Sequence, residues 1–460
     1  MADKTPQAEK YMKIAMNFVN DKGLIIFNQT AYFYHEGIWR EESWENTQAW
    51  VFSEFTKTYN SPATRNMVKE MMKMIESITY SKYRAEIKYK LGEQIGNEIC
   101  LKDGILHLKD MSIGKYSKEK FKFSKLNFNL KENLQIPIFQ RFLNTSLNFG
   151  EEPDLSSGEK AEEYKTMIQF IQEWMGYSLT IGNPLERALI LTSRGRNGKG
   201  TLLHIWSKIL GKENCSSLGL EALNNPQHIE ATKNKMVNFS YDSTKGGQLD
   251  TETIKKAISN EPVQADTKYK ATFSFNFTAK LIIACNDIPF TSNTDANVRD
   301  RFHILPFDSE IDERDRDPLL KKKLEAEAED IFTWAIDGLQ RFTKRGYFEI
   351  PKRCLKAMGE YLEENDTLDQ WLNDLDLREK GRQAKRSEIW LSYRDWVKEG
   401  GMKPYGRTKF FRRLRQKGFK DRREGEAKDT YIIDLKPPPN SPDGNEGNDA
   451  SYVNKTDLPF

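Results

Sequence analysis

The sequence predicts an α/β protein, and three stretches carry that prediction. "RALILTS" (187–193) is a short apolar run of buried-strand type, and "GTLLHIWSKILG" (200–211) has helical spacing and stops at Gly211. Between them lies a Gly-rich turn. Strand, turn and helix in that order aim backbone N–H groups and the positive helix end at an anion. The second stretch, "NKMVNFSYDST" (234–244), is β-rich and ends at Asp242. The third, "AKLIIACNDIPF" (279–290), closes a buried-strand run at Asn286. Strand and helix signals alternate on to about residue 345, as an α/β core requires.

The turn itself, within "SRGRNGKGTLL" (193–203), departs twice from the strict phosphate-loop pattern G-x-x-x-x-G-K-[ST]. Ser193 stands where the first Gly belongs, and Gly200 where the Ser/Thr belongs. The flanking strand and helix outweigh those departures. Gly195, Asn197, Gly198, Lys199, Gly200 and Thr201 are therefore expected to cradle nucleotide phosphates, with Lys199 at the β/γ positions. Asp242, at a strand end, could hold Mg²⁺ or polarise an attacking water; read alone, it is a turn Asp after a core strand. Asn286 could orient that water. Arg299 and Arg301, in "NVRDRFHILPF" (297–307), could stabilise charge on a neighbouring subunit's nucleotide.

Composition narrows the class. The length of 460 residues implies two to four domains. Lys+Arg 71 against Asp+Glu 68 nearly cancel, so local charge has to be read instead. The four cysteines are scattered without a C-x-x-C, which argues against a disulfide framework and a zinc knuckle and fits a reducing cytoplasm. The first residues carry no apolar signal segment, and no apolar run is long enough to span a bilayer.

Five regions are expected: a mixed α/β N-terminal domain (1–150), an acidic linker (151–164), the core (165–345), a small C-terminal domain (346–435) and a Pro/Asn/Gly-rich disordered tail (436–460). In the first, "LIIFNQTAYFYHEGIWR" (24–40) and "GNEICLKDGILHLKD" (96–110) read as hairpins and "ATRNMVKEMMKMIESI" (63–78) as a helix. Met67, Met71, Met72 and Met74 are read there as core.

Two stretches suggest nucleic acid. "VQADTKYKATFSFNF" (263–277) reads as a hairpin with alternating Phe and a tip of Lys268, Tyr269 and Lys270, suited to phosphates and a stacked base. "KPYGRTKFFRRLRQKGFKDRREG" (403–425) holds ten Lys/Arg against two acids, with Phe410, Phe411 and Leu414 at helical spacing. With the helix pattern at 386–401 and a strand at 429–435 it reads as a winged helix, whose recognition helix (407–418) carries Arg407, Lys409, Arg412, Arg413 and Arg415. A basic solvated face is the plainer alternative.

The order of loop, acidic strand, "ACN" and "RDR…PF" resembles superfamily 3 helicases of the phage/plasmid primase-helicase type, related to the D5-like ATPases of poxviruses. "DTETIKKAISNEPVQADTKYKATFSFNFTAKLIIACNDIP" (250–289) is similar to the family's stretch between Walker B and sensor 1. The resemblance implies a P-loop AAA+-like ATPase core binding ATP and Mg²⁺. It makes Lys199 the Walker A lysine, Asp242 the Walker B acid, Asn286 sensor 1, and Arg301 the arginine finger with Arg299 as second choice. Phage members carry N-G-K-G-T in this loop. Thr201, one residue late, would hold Mg²⁺ together with Asp242, which stands where many relatives have Glu.

By resemblance the protein would be a replicative helicase of a phage, plasmid or mobile element. It would form a ring, expected to be hexameric, on single-stranded and forked DNA and move 3′ to 5′. A separate primase would supply primers, because the first 150 residues show no primase signature. The terminal "TDLPF" (456–460) resembles the acidic tip of bacterial single-stranded-DNA-binding proteins and could recruit host replication proteins. An origin-binding initiator or loader that uses ATP as an assembly switch is the alternative reading; a small-molecule kinase or GTPase fits the basic C-terminal block less well.

Overall fold

The computed structural model describes residues 6–27, 29–92, 98–193, 197–241, 251–266, 272–286, 288, 300–310, 312, 314, 316–374, 383–402, 404–423 and 431–434. The chain opens with α1 (Gln7–Asn17) and a π-helical turn that ends at Gly23 in the left-handed region. A three-stranded antiparallel meander follows: β1 (Leu24–Phe27), β2 (Thr30–His35) and β3 (Ile38–Glu42). Two helices, α2 (Trp44–Tyr59) and α3 (Arg65–Gly92), close over it. Ser43 caps α2 by accepting from Asn46 N at 3.1 Å, the use for which a hydroxyl suits that position. Met71 and Met72 are buried and Met67 and Met74 pack at the margin of the same core, as their spacing predicts.

The hairpin of 96–110 forms as β4 (Glu98–Cys100) and β5 (Ile105–His107), joined by β6 (Ile113–Gly114). Its apolar residues do not pack with the meander. Ile99, Leu101, Leu106 and Leu108 enter the cluster that contains Trp174 and Trp206. The next helix, α4 (Pro137–Ser146), sends Phe139, Phe142 and Leu143 to the same place. Residue 150 therefore does not divide two cores. The chain first enters the second core near residue 98, where no composition shift marks it, and returns to the meander at Phe121 and Phe123 before α4.

Helix α5 (Gly158–Ser178) starts within the stretch expected as linker and leads to β7 (Ala188–Thr192) and α6 (Lys199–Leu210). Then come β8 (Cys215–Ser216), β9 (Val237–Tyr241), α7 (Thr251–Ile258), the hairpin β10 (Pro262–Ala265) and β11 (Phe273–Asn276), β12 (Lys280–Cys285) and β13 (Phe302–Pro306). Five of these form one parallel sheet in the order β13-β7-β12-β9-β8. Its central strands β7 and β12 are almost wholly apolar because both faces are covered, while the buried Asn238 and Ser240 of β9 are hydrogen-bonded. Leu189 and Leu191 face the cluster under α5 and α6, while Ala188 and Ile190 face a second cluster with Ile258 and Phe277. This is the two-residue period of a strand read on both sides.

Two helices follow, α8 (Leu320–Ala326) and α9 (Ala328–Arg345). α9 lies against α5 at close range. A Cβ on Gly338 would strike the Gln172 carbonyl, and one on Gly176 would strike the α9 backbone. Across the same contact Arg341 meets the buried Glu173 at 2.7 Å. Helix α10 (Lys352–Glu364) returns to the sheet, where Met358 and Tyr361 join the second cluster. The expected C-terminal unit thus starts later than residue 346. It comprises α11 (Thr367–Asp374), β14 (Gln383–Lys385), α12 (Arg386–Glu399), α13 (Arg407–Gln416), β15 (Lys420–Arg423) and β16 (Tyr431–Asp434). Its strands pair antiparallel in the order β14-β16-β15. Its own core holds Trp371, Tyr393, Phe410, Phe411 and Leu414. Among the described residues no helix is long and apolar enough to cross a membrane.

Candidate functional site

The carboxyl edge of the parallel sheet gathers the loop residues. In open α/β sheets ligands bind at that edge. β7 ends at Thr192, level with Cys285 of β12 and Pro306 of β13. Ser193 follows, buried at 6% exposure. α6 starts at Lys199 and has Gly198 as its N-cap, at φ +95°. Lys199 Nζ donates to Asn286 Oδ1 at 3.0 Å and also to Ser193 Oγ. Thr192 Oγ1 donates to the Asn286 carbonyl at 3.2 Å. The lysine thus bridges the ends of two adjacent strands at the N-terminus of a helix, where the helix dipole favours an anion. Ser193, one of the two departures from the strict pattern, is a direct partner of the lysine.

The loop rests on α4, which no sequence signal connects to it. A Cβ on Gly198 would run into Ser146 Oγ and lie 2.9 Å from Phe142 Cε2, so the loop backbone is pressed against side chains of α4 there. Asn197 Nδ2 donates to the Phe307 carbonyl at 2.6 Å. Asn197 Oδ1 and Ser146 Oγ are buried without a hydrogen-bond partner among the described residues. α4 is itself fixed at both ends. The Glu327 carboxylate accepts from Ile138 N at 3.0 Å and Phe139 N at 2.8 Å, satisfying two otherwise orphaned donors of the helix start. Ser309 Oγ donates to the Ser146 carbonyl at 2.9 Å. By contrast, a Cβ on Gly200 would meet nothing within 4 Å.

The expected site residues fall into four groups. Asn197, Gly198, Lys199, Gly200, Thr201 and Asn286 come together at the carboxyl edge. Gly195, Asp242, Lys268, Tyr269, Lys270 and Arg299 lie outside the described residues. Tyr241, the residue before Asp242, ends β9 next to β12 and is 46% exposed. The hairpin expected around 263–277 is formed by β10 and β11, with Ala265 opposite Phe273 and Thr272 Oγ1 donating to Asp266 at 2.7 Å.

Arg301 is separate. It precedes β13, so it sits at the amino edge of the sheet, about 16 Å from the carboxyl edge at the rise of a five-residue strand. There it pairs with Glu186 at 3.3 Å and donates to Ser259 Oγ at 3.0 Å. Within one chain Arg301 and Lys199 are not neighbours. Glu186 and Ser259 carry no motif, and only the fold places them beside Arg301.

In the C-terminal unit, Arg407, Arg412 and Arg415 are exposed on α13. Arg413 is not presented with them. It turns inward to the Tyr405 hydroxyl and to Asp366 at 3.5 Å, so its charge serves the unit's own packing. Lys409 is half-buried over the Tyr405 ring. Arg407 and Arg394 stand over the face of Trp390 at 6.0 and 5.5 Å.

A model of a family of unknown function, DUF5906, matches residues 191–301, from the end of β7 to the residue before β13. Among solved structures the chain is similar to the A form apo structure of the NrS-1 C-terminal region, at 12% identity and a TM-score of 0.50. That match covers 91% of this chain and 98% of the other. Two further apo structures of the NrS-1 C-terminal region match at 12% and 11% identity with TM-scores of 0.49 and 0.48, each covering over nine-tenths of both chains. At such identity the likeness is one of fold.

Proposed function

We propose that the protein is an ATP-driven DNA translocase of phage, plasmid or mobile-element replication, acting as a superfamily 3 helicase. One observation carries the reading. β12, which Asn286 follows, is inserted between β7, which leads into the Lys199 loop, and β9, and Lys199 is bonded to Asn286. That insertion puts the lysine and the carboxamide together, and the other neighbour of β12, β9, stops one residue before Asp242 in the sequence; a lysine, a carboxamide and an acid are the set that nucleotide hydrolysis needs.

In this reading Lys199 exchanges Ser193 and Asn286 for β- and γ-phosphate oxygens. Asn286, released, orients the attacking water. Thr201 and Asp242 supply a hydroxyl and a carboxylate, hard oxygen donors suited to Mg²⁺, which would neutralise charge on the phosphates. Arg301, distant from Lys199 in its own chain, acts on the next subunit's nucleotide in a ring, with Arg299 as the other candidate. Lys268, Tyr269 and Lys270, between β10 and β11 in the sequence, would contact single-stranded DNA in this reading. The helix–strand–helix–helix–strand–strand order of the C-terminal unit supports a winged helix, with Arg407, Arg412 and Arg415 on its exposed helix. That unit has a core of its own, which is the observation favouring the second reading, an origin-binding initiator.

The test is ATP hydrolysis with and without single-stranded DNA for the wild type, Lys199→Ala and Arg301→Ala. DNA-stimulated turnover should be lost in both variants and partly return when they are mixed, because each supplies the half-site the other lacks. An Arg301→Ala protein as active as the wild type would remove the shared-site ring.

A further inference from the structure

Arg301 is held at the amino edge of the sheet by a closed triangle. Ser259 Oγ donates to Glu186 Oε2 at 3.2 Å and accepts from Arg301 Nη1 at 3.0 Å, while Arg301 Nη1 lies 3.3 Å from the same Glu186 oxygen. The main chain on each side is fixed. Ala188 N donates to the Arg301 carbonyl at 2.8 Å, joining β7 to the start of β13. Glu186 holds the left-handed region at φ +51°. Behind the triangle, Asn183 is fully buried and its Nδ2 donates to the Arg187 carbonyl at 2.9 Å and the Ile258 carbonyl at 3.1 Å. Asn183 N donates to Asn260 Oδ1 at 3.2 Å.

The position of Ser259 in the chain gives this cluster its interest. Ser259, Asn260 and Glu261 are the link between α7 and β10, the first strand of the hairpin. The root of the hairpin is therefore tied to Arg301 and Glu186 by the Ser259 hydroxyl and to the 182–187 loop also by the Asn260 carboxamide. The triangle also reaches water, with the Arg301 side chain 20% and the Glu186 side chain 46% exposed. An ion pair open to solvent adds little stability, so a more highly charged anion can displace the carboxylate. A phosphoryl group held in a closed interface is such an anion, and Arg prefers its bidentate geometry.

We propose that Glu186 and Ser259 are positioning residues that hold Arg301 between catalytic events and convey its release to the root of the β10–β11 hairpin. The inference rests on the reading in which Arg301 serves a neighbouring nucleotide and the hairpin grips DNA. When Arg301 swings to that nucleotide, Ser259 Oγ loses its donor and Glu186 keeps only Ser259. The tie to Arg301 is then open, while the Ser259–Glu186 and Asn260–Asn183 bonds hold. Rebinding of Arg301 after phosphate leaves resets it, so each turnover opens and closes the root once.

The experiment compares full-length wild type with Ser259→Ala, Ser259→Thr and Glu186→Gln. Three quantities are read: ATP hydrolysis without DNA, base pairs displaced on a forked duplex per ATP, and amide exchange of residues 258–265 with and without a non-hydrolysable ATP analogue. Ser259→Ala should keep DNA-free hydrolysis near the wild-type rate. It should displace roughly tenfold fewer base pairs per ATP, a mid-range coupling loss, and its hairpin-root exchange should no longer respond to nucleotide. Ser259→Thr, which keeps the hydroxyl, should restore both, and Glu186→Gln should fall between. Ser259→Ala and Glu186→Gln proteins that couple like a working wild type would overturn the inference alone. A wild type whose hydrolysis ignores DNA would instead refute the helicase reading, and an unchanged exchange response in Ser259→Ala would still refute the triangle by itself.

Discussion

Gly198→Ala should destabilise the protein and abolish nucleotide binding, whereas Gly200→Ala, two residues away, should leave stability intact. The cost at 198 has two parts. Its φ of +95° lies in the region L side chains avoid, about 1–2 kcal/mol for Ala. The new Cβ would also collide with Ser146 Oγ, lie 2.9 Å from Phe142 Cε2 and lie 3.2 Å from Ser146 Cβ. α4 cannot retreat, because Glu327 holds its start and Ser309 its end. Overpacking of this kind costs about 1–3 kcal/mol. The sum, about 2–5 kcal/mol, corresponds to a fall in Tm of roughly 5–15 °C for a core of this size. At 200 the Cβ meets nothing within 4 Å in a helical turn, where Ala is preferred to Gly by up to about 1 kcal/mol. Ser146→Ala provides the control. It removes a buried hydroxyl without a partner, so alone it should be nearly neutral, and in the double variant it should return about 1 kcal/mol of the Gly198→Ala loss. Thermal unfolding and titration with a fluorescent ATP analogue read both effects. A Gly198→Ala protein with wild-type Tm and affinity would refute the account of the loop as backbone pressed on α4.

Three further outcomes follow from contacts in the fold. Burial, helped by the nearby Arg187 charge, lowers the His303 pKa from its ordinary value to about 3, and Trp174 Nε1 donates to its Nδ1 at 3.1 Å. The unfolded chain therefore takes up a proton below pH 6.5 while the folded chain does not, so stability should fall by about 2 kcal/mol between pH 7 and 5, a dependence that His303→Gln should flatten in urea titrations. Glu327→Gln should cost about 1–3 kcal/mol by weakening the charged cap on Ile138 N and Phe139 N, seen as a lower urea midpoint. Arg412→Ala and Arg415→Ala should each weaken duplex binding and lower the slope of log affinity against log salt by about 0.9 if each meets one phosphate, whereas Arg413→Ala should lower the Tm of the C-terminal unit through Asp366 and Tyr405.

Local pattern was enough for much of this. Buried parallel strands show as unbroken apolar runs, so "ALIL" and "LIIAC" were legible as β7 and β12. α13 and the β10–β11 hairpin were legible because each buries one face at its own period. Lys199 and Asn286 were legible as strand-end and helix-start residues, a statement about neighbours in the chain. Their mutual bond was not, since it spans 87 residues. The entry into the second core near residue 98 was invisible for a similar reason. The apolar residues of β4, β5 and α4 look the same whether they pack on the meander or beneath α5, and only the layer they meet decides.

By itself the sequence determined the kinds of element, the order of the strands along the chain, and the chemistry available at each strand end. The tertiary structure alone decided which ends lie together. It set β12 between β7 and β9, pressed α4 on Gly198, turned Arg413 inward, and placed Glu186 and Ser259 around Arg301. The physical reason is that periodicity records only whether a side chain leaves water, while hydrogen bonds and charge pairs depend on angstrom-scale proximity between segments far apart in the chain.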